Sequence, residues 1–183
     1  MTTAVIFNGQ GAHYQGMGMD FIEKFPQAEE VITCAGQASG DDIKALLNED
    51  FSKLSQTRYA QIATAATSMA VFRSIESQIP AIDYMAGLSL GEYSALMASG
   101  MLSMEDGFRL LKERGNLMSD HCEQLKEDED IVMEAVLKAP LEDIERLVNQ
   151  VNQDETNLYI ANLNSSTQTV IGGTQSAVDQ FKK

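Results

Sequence analysis

Thr3-Ala4-Val5-Ile6-Phe7 is a short, nearly continuous apolar run, the pattern of a strand buried in a parallel sheet, and Asn8-Gly9-Gln10-Gly11 breaks it with two glycines. Residues 18 to about 50 read as short helical segments, and Asp41 and Asp42 place negative charge at the start of the piece that ends near Asn48. A longer, Ala-rich helix is predicted from about Arg58 to Ser77, with Ile62, Ala65, Met69 and Phe72 on one face. Pro80 stops it. Residues 82–86 (Ile-Asp-Tyr-Met-Ala) form a second predicted strand, so strand, helices and strand make a parallel crossover.

The next helix spans about 90–99 and ends at Gly100. Ser103 caps the one after it, with Asp106 three positions on as an acidic variant of the capping box. Met104, Phe108, Leu111, Met118 and Cys122 recur there at helical spacing and are expected to face the core. The acidic run Glu123 to Asp130 reads as a solvated linker rather than a metal site. The rhythm then changes to strand (131–137), helix (140–152), strand (157–162), strand (168–172) and helix (174–182). That order, β-α-β-β-α, is a ferredoxin-like split unit short of its last strand.

Composition narrows the function classes. A chain of 183 residues, 44 % hydrophobic, supports one sizeable core with a small appended lobe. Its 13 basic and 27 acidic residues leave a net charge of −14, which attracts neither nucleic acid nor an anionic membrane. No apolar run is long enough to cross a bilayer, and Met1-Thr2-Thr3-Ala4 lacks the basic start of a signal peptide, so a cytoplasmic protein is expected. Cys34 and Cys122 build no disulfide framework and suit no zinc site. The ten Met residues read as core filler.

Three places could carry chemistry. Gly87-Leu88-Ser89-Leu90-Gly91 fits G-x-S-x-G between a predicted strand and a predicted helix, where the turn exposes Ser89 as a nucleophile; small residues also make ordinary strand–helix turns. Gln10 lies in the turn after the first strand, where its backbone N–H and that of Leu90 would form an oxyanion hole; the alternative is a plain turn. Arg114 falls on the flank of the core stripe beside Leu110 and Leu117, suited to pairing a substrate carboxylate bidentately; the alternative is an arginine snorkelling to the surface.

Together these residues resemble the malonyl-CoA:acyl carrier protein transacylase family. Phe7-Asn8-Gly9-Gln10-Gly11 is similar to that family's F-x-G-Q-G opening, and Gly87 to Leu96 (GLSLGEYSAL) to its G-H-S-L-G-E-[YF]-[SA]-A-L elbow. Arg114-Gly115 resembles its R-G pair. Asn162-Leu163-Asn164-Ser165 followed by Val170-Ile171-Gly172-Gly173 resembles its N-x-N-[ST]-P…V-[IV]-[AS]-G stretch. The resemblance implies Ser89 as acyl-accepting nucleophile, the amides of Gln10 and Leu90 as oxyanion donors, and Arg114 as the clamp on the malonyl carboxylate. The implied reaction is ping-pong, from malonyl-CoA through a seryl ester to the phosphopantetheine thiol of acyl carrier protein; fatty acid synthesis is the expected pathway, and polyketide synthesis, which uses the same chemistry, stays open. No metal or other cofactor is implied; CoA arrives with the substrate.

Three departures bear on that expectation. Leu88 stands where most members have His, which tunes rather than excludes activity, and Ser166 replaces the usual Pro. The family's general base is a His beyond the small subdomain, and this sequence offers only His13 and His121, both read as incidental polar residues. The expected architecture is α/β: an α/β-hydrolase-like large subdomain, residues 1–126, and the beginning of an inserted ferredoxin-like small subdomain, residues 127–183. On this reading the chain is the N-terminal portion of such an enzyme and inactive alone. Two other functions remain open: a non-catalytic module that binds acyl carrier protein or CoA, and a serine hydrolase or thioesterase. The charge of −14 argues against unaided docking of an acidic carrier, and Arg114 argues against a hydrolase of neutral acyl chains.

Overall fold

A computed structural model describes residues 2–49, 51–125, 130–154 and 157–183. Packing divides the chain into two units, Met1–Ser119 and Asp120–Lys183. The boundary expected at 126–127 lies outside the described residues, as does much of the acidic run that precedes Asp130.

In the first unit, strand β1 (Ala4–Phe7) pairs in parallel with β2 (Tyr84–Gly87), Ala4 opposite Tyr84 and Phe7 opposite Gly87. The crossover between them runs through α1 (Met19–Lys24), α2 (Pro26–Ser39), α3 (Ile43–Asn48), α4 (Phe51–Leu54) and α5 (Thr57–Ile75). Pro26 opens α2 at its first position, where a missing N–H leaves no bond unmade. Asp42 caps α3 by accepting from the Ala45 N–H at 3.0 Å. After β2 come α6 (Leu90–Ala98) and α7 (Met104–Leu125). Ser103 Oγ caps α7 by accepting from the Asp106 N–H at 3.1 Å, and donates to Asp106 Oδ2 at 2.7 Å.

Helix α5 is more deeply buried than its sequence stripe predicts. Every residue from Ala60 to Ala66 is buried, so the face of Ile62, Ala65, Met69 and Phe72 is only part of its packing surface. Both α2 and α6 pack against it. The opposite correction applies to α7. Phe108 and Leu111 are fully buried, but Met118 is 38 % exposed and Cys122 is exposed, so the expected core stripe holds only for the first half of the helix. Met101 and Met133 are also exposed rather than core filler. Among the described residues no helix is long and apolar enough to cross a membrane.

The second unit contains β3 (Ile131–Leu137), α8 (Leu141–Val151), β4 (Leu158–Ser165), β5 (Gln168–Thr174) and α9 (Gln175–Phe181). The sheet order is β3-β5-β4, and β5 is antiparallel to both neighbours. That is the split arrangement of a ferredoxin-like unit. Its own core joins Ile144, Val148 and Leu158 to Ile171, Ala177 and Val178. Thr174 ends the central strand and caps α9, accepting from the Ala177 N–H at 3.3 Å.

Candidate active site

The chain turns from β2 into α6 through Leu88 and Ser89. Ser89 holds φ 52° and ψ −105°, a left-handed conformation that only one other described non-glycine residue, Lys138, shares the sign of. Such a backbone costs of order 1–3 kcal/mol and persists only where its surroundings enforce it. Here the enforcement is close packing. A Cβ at Gly87 would overlap the backbone of Gly91 and Glu92, and one at Gly91 would overlap the carbonyls of Phe7 and Asn8. The two glycines of the motif therefore let the first turn of α6 sit on the ends of both strands. Ser89 is left exposed at the tip, and the Leu90 N–H, at the first position of α6, has no carbonyl four residues back within the helix.

The turn after β1 packs against the same elbow. A Cβ on Gly9 would lie 3.0 Å from the Leu88 carbonyl oxygen. Asn8 is fixed by Ser68, whose Oγ donates to Asn8 Oδ1 at 2.9 Å. Gln10 follows directly, and its side-chain Nε2 donates to Thr57 Oγ1 at 3.4 Å, at the start of α5. The Gln10 side chain is thus engaged by α5.

Arg114 reaches the elbow from α7. Its Nη2 donates to Ser89 Oγ at 3.2 Å and its Nη1 to Gln61 Oε1 at 2.5 Å, while its guanidinium carbon lies 5.8 Å from the Tyr93 ring centroid. Leu110 and Leu117, its expected neighbours, are exposed. The guanidinium itself is half-buried and turned to the serine rather than to bulk solvent. The sequence reading missed Gln61 and Tyr93. Gln61 has no motif; its only signal is a polar amide inside an Ala-rich helix.

The histidines are not part of this group. His13 stacks on Phe51 with ring centroids 5.4 Å apart, and both its nitrogens are buried without a hydrogen-bond partner. His121 is exposed on the last turns of α7. Among the described residues no set of three or more His, Cys, Asp or Glu side chains is placed to hold a metal ion.

A parallel strand, a strained serine and a helix N-terminus place the chain in the serine-elbow class of α/β proteins. The chain belongs to the acyl transferase domain family, whose model matches residues 4–183. It is similar to the malonyl CoA-acyl carrier protein transacylase of Bacillus subtilis (strain 168), with 34 % identity over 177 residues, 96 % of this chain and 55 % of the relative. It is similar in structure to MCAT from Streptococcus pneumoniae, with a TM-score of 0.87 and 42 % identity, covering 99 % of this chain and 58 % of that one. A type II PKS acyl-carrier protein complex with its malonyl-transacylase matches with a TM-score of 0.83 and 31 % identity, covering 99 % of this chain and 58 % of that one. The chain thus spans about half the length of the relatives it matches.

Proposed function

We propose that this chain carries the acyl-accepting serine and the carboxylate clamp of a malonyl transferase that moves malonyl from CoA to acyl carrier protein. The observation that carries the reading is the guanidinium of Arg114 on the hydroxyl of Ser89. An acyl group bound to Ser89 Oγ that ends in a carboxylate would find a planar two-pronged donor within reach; an acetyl group would not.

In the first half-reaction Ser89 Oγ attacks the thioester carbonyl of malonyl-CoA. The C–S bond breaks, the hydroxyl proton passes to the CoA sulfur, and malonyl remains as an ester on Ser89. The N–H groups of Leu90 and Gln10 are proposed to hold the oxyanion of the tetrahedral intermediate, aided by the N-terminus of α6. In the second half-reaction the phosphopantetheine thiol of acyl carrier protein attacks the ester and returns the proton to Ser89. The carrier partner is supported by the similar complex with an acyl-carrier protein. This chemistry calls for no metal or redox group. The proton transfers call for a base, and neither histidine is hydrogen-bonded to Ser89 among the described residues, so transfer by this chain alone is proposed to be a trace.

Mass spectrometry after incubation with malonyl-CoA tests the assignment. A malonyl adduct mapping to Ser89 and absent from Ser89→Ala is expected. An adduct that survives the substitution, or one that maps to another residue, overturns it.

A further inference from the structure

We infer that Gln61 is a positioning residue that holds Arg114 in place while leaving its charge free for an anionic substrate; this rests on Arg114 acting as a carboxylate clamp. Gln61 lies in the buried middle of α5 and is 0 % exposed. A buried primary amide is costly unless both of its ends are bonded. Both partners come from α7, one helical turn apart: Oε1 accepts from Arg114 Nη1 at 2.5 Å, and Nε2 donates to Met118 Sδ at 3.2 Å. The two contacts fix which way the amide points. Its acceptor faces the guanidinium.

The seam between the helices is built to bring these groups together. Gly115 follows Arg114, and a Cβ there would lie 3.1 Å from Arg58 Cα and 3.2 Å from the Arg58 carbonyl oxygen, so a larger residue would press α7 away from the first turn of α5 by a few tenths of an ångström. One turn further on, Ser119 Oγ accepts from the Arg58 N–H at 3.1 Å, satisfying a donor at the start of α5. Residues 114, 115, 118 and 119 of α7 thus all meet α5 along one face.

Charge distinguishes Arg114 from its neighbours. The chain has 27 acidic residues against 13 basic ones, and carboxylates are the common partners of its cations. Arg109 pairs with Glu105 and Asp106, Arg73 with Glu76, Arg146 with Asp143, and Lys112 with Asp41. Arg114 instead meets three neutral groups: the Gln61 amide, the Ser89 hydroxyl and the Tyr93 ring. A glutamate at position 61 would hold the guanidinium equally well in space but would neutralise it. A glutamine holds it and leaves the positive charge uncompensated. Position 61 therefore sets substrate class: a free carboxylate is favoured because, among the described residues, no carboxylate pairs with Arg114.

The test uses the full chain in a Ser89→Ala background, so that binding is read without acyl transfer. Calorimetry compares malonyl-CoA with acetyl-CoA. The parent should prefer malonyl-CoA, and Gln61→Glu should cut that preference about tenfold or more through loss of a charge-assisted pair, with acetyl-CoA binding little changed. The isosteric Gln61→Met, which removes the acceptor without adding charge, serves a second readout. In arginine-labelled chain, NMR should show slow rotation of the Arg114 Nη groups, identified by their loss in Arg114→Lys, and Gln61→Met should make that rotation fast. A Gln61→Glu chain that keeps its malonyl preference, or Nη rotation that is already fast in the parent or unmoved by Gln61→Met, overturns the inference. A parent that does not distinguish the two thioesters overturns the carboxylate-clamp reading instead, and the NMR result then still decides whether Gln61 positions Arg114.

Discussion

Arg114 Nη2 donates to Ser89 Oγ at 3.2 Å, across 25 residues of sequence and from a different helix than the one Ser89 opens. The hydroxyl therefore occupies a donor that a carboxylate would fill more strongly, since a negatively charged acceptor adds Coulomb attraction to a bond whose donor is already charged. An acyl chain ending in a carboxylate would displace the serine hydroxyl from the guanidinium as it arrives. Arg114→Ala should thus slow malonyl adduct formation on Ser89 by about 10-fold or more, from the 1.5–3 kcal/mol typical of a hydrogen bond to a charged group, roughly, and leave acetyl adduct formation nearly unchanged. Time-resolved intact mass measurements with both thioesters check this; equal losses would make Arg114 structural.

The backbone of Ser89 stores strain that glycine would not feel. Ser89→Gly should raise stability by about 1 kcal/mol, because φ 52° is freely open to glycine, while removing the acyl acceptor altogether. Urea denaturation measures the first effect and the absence of an adduct the second. A Ser89→Gly chain no more stable than the parent would mean the elbow is relaxed.

Gly91→Ala should be damaging in a different way. The added methyl meets the carbonyl oxygens of Phe7 and Asn8, which are backbone atoms that cannot swing aside. Overpacking of this kind costs about 1–3 kcal/mol and would separate α6 from the strand ends. A lowered denaturation midpoint together with loss of the Ser89 adduct is expected; an unchanged midpoint would contradict the close packing.

The two cysteines should differ sharply in reactivity. Burial, reinforced by the negative charge of Glu105, pushes the Cys34 thiol above its ordinary range, whereas Cys122 is exposed on α7. The thiolate is the reactive form, so a raised pKa lowers its fraction at neutral and mildly alkaline pH. Under native conditions an alkylating reagent should modify Cys122 first, and Cys34 labelling should keep rising with pH past the point where an ordinary thiol levels off. Peptide mapping after limited labelling decides it; equal rates at pH 7.5 would refute the difference.

Transfer of malonyl to acyl carrier protein by the purified chain should be no more than a trace. Ser89 Oγ has a cation rather than a base beside it, and His13 is stacked on Phe51 instead. Removing the base from a serine catalytic set leaves only the residual effect of binding and oxyanion donors. Turnover within tenfold, roughly, of the Bacillus subtilis relative under the same conditions would show that a base within this chain does the work. His13→Ala and His121→Ala would then identify it.

Much of this was written locally. The apolar run at 3–7, the G-x-S-x-G turn and the β-α-β-β-α rhythm after residue 130 are set by short-range periodicity and by glycine, serine and proline chemistry, and each element formed near its expected place. The turn at Ser89 and the cap at Ser103 were legible for the same reason: neighbours a few residues away determine them. Burial was less legible. Periodicity marks which face of a helix is apolar but not how much of the helix is covered, so α5 proved buried all round from Ala60 to Ala66 and α7 buried only along its first half. What the tertiary structure alone decided is where Arg114 points and what holds it. Whether an arginine on the flank of a helix snorkels to water or turns inward depends on the group opposite, and that group, Gln61, lies 53 residues away on α5 with no pattern to announce it. The physical reason is that a guanidinium on a long flexible stem has no local preference strong enough to choose a direction. The choice is made by the close approach at Gly115 and by a buried amide that must find a partner.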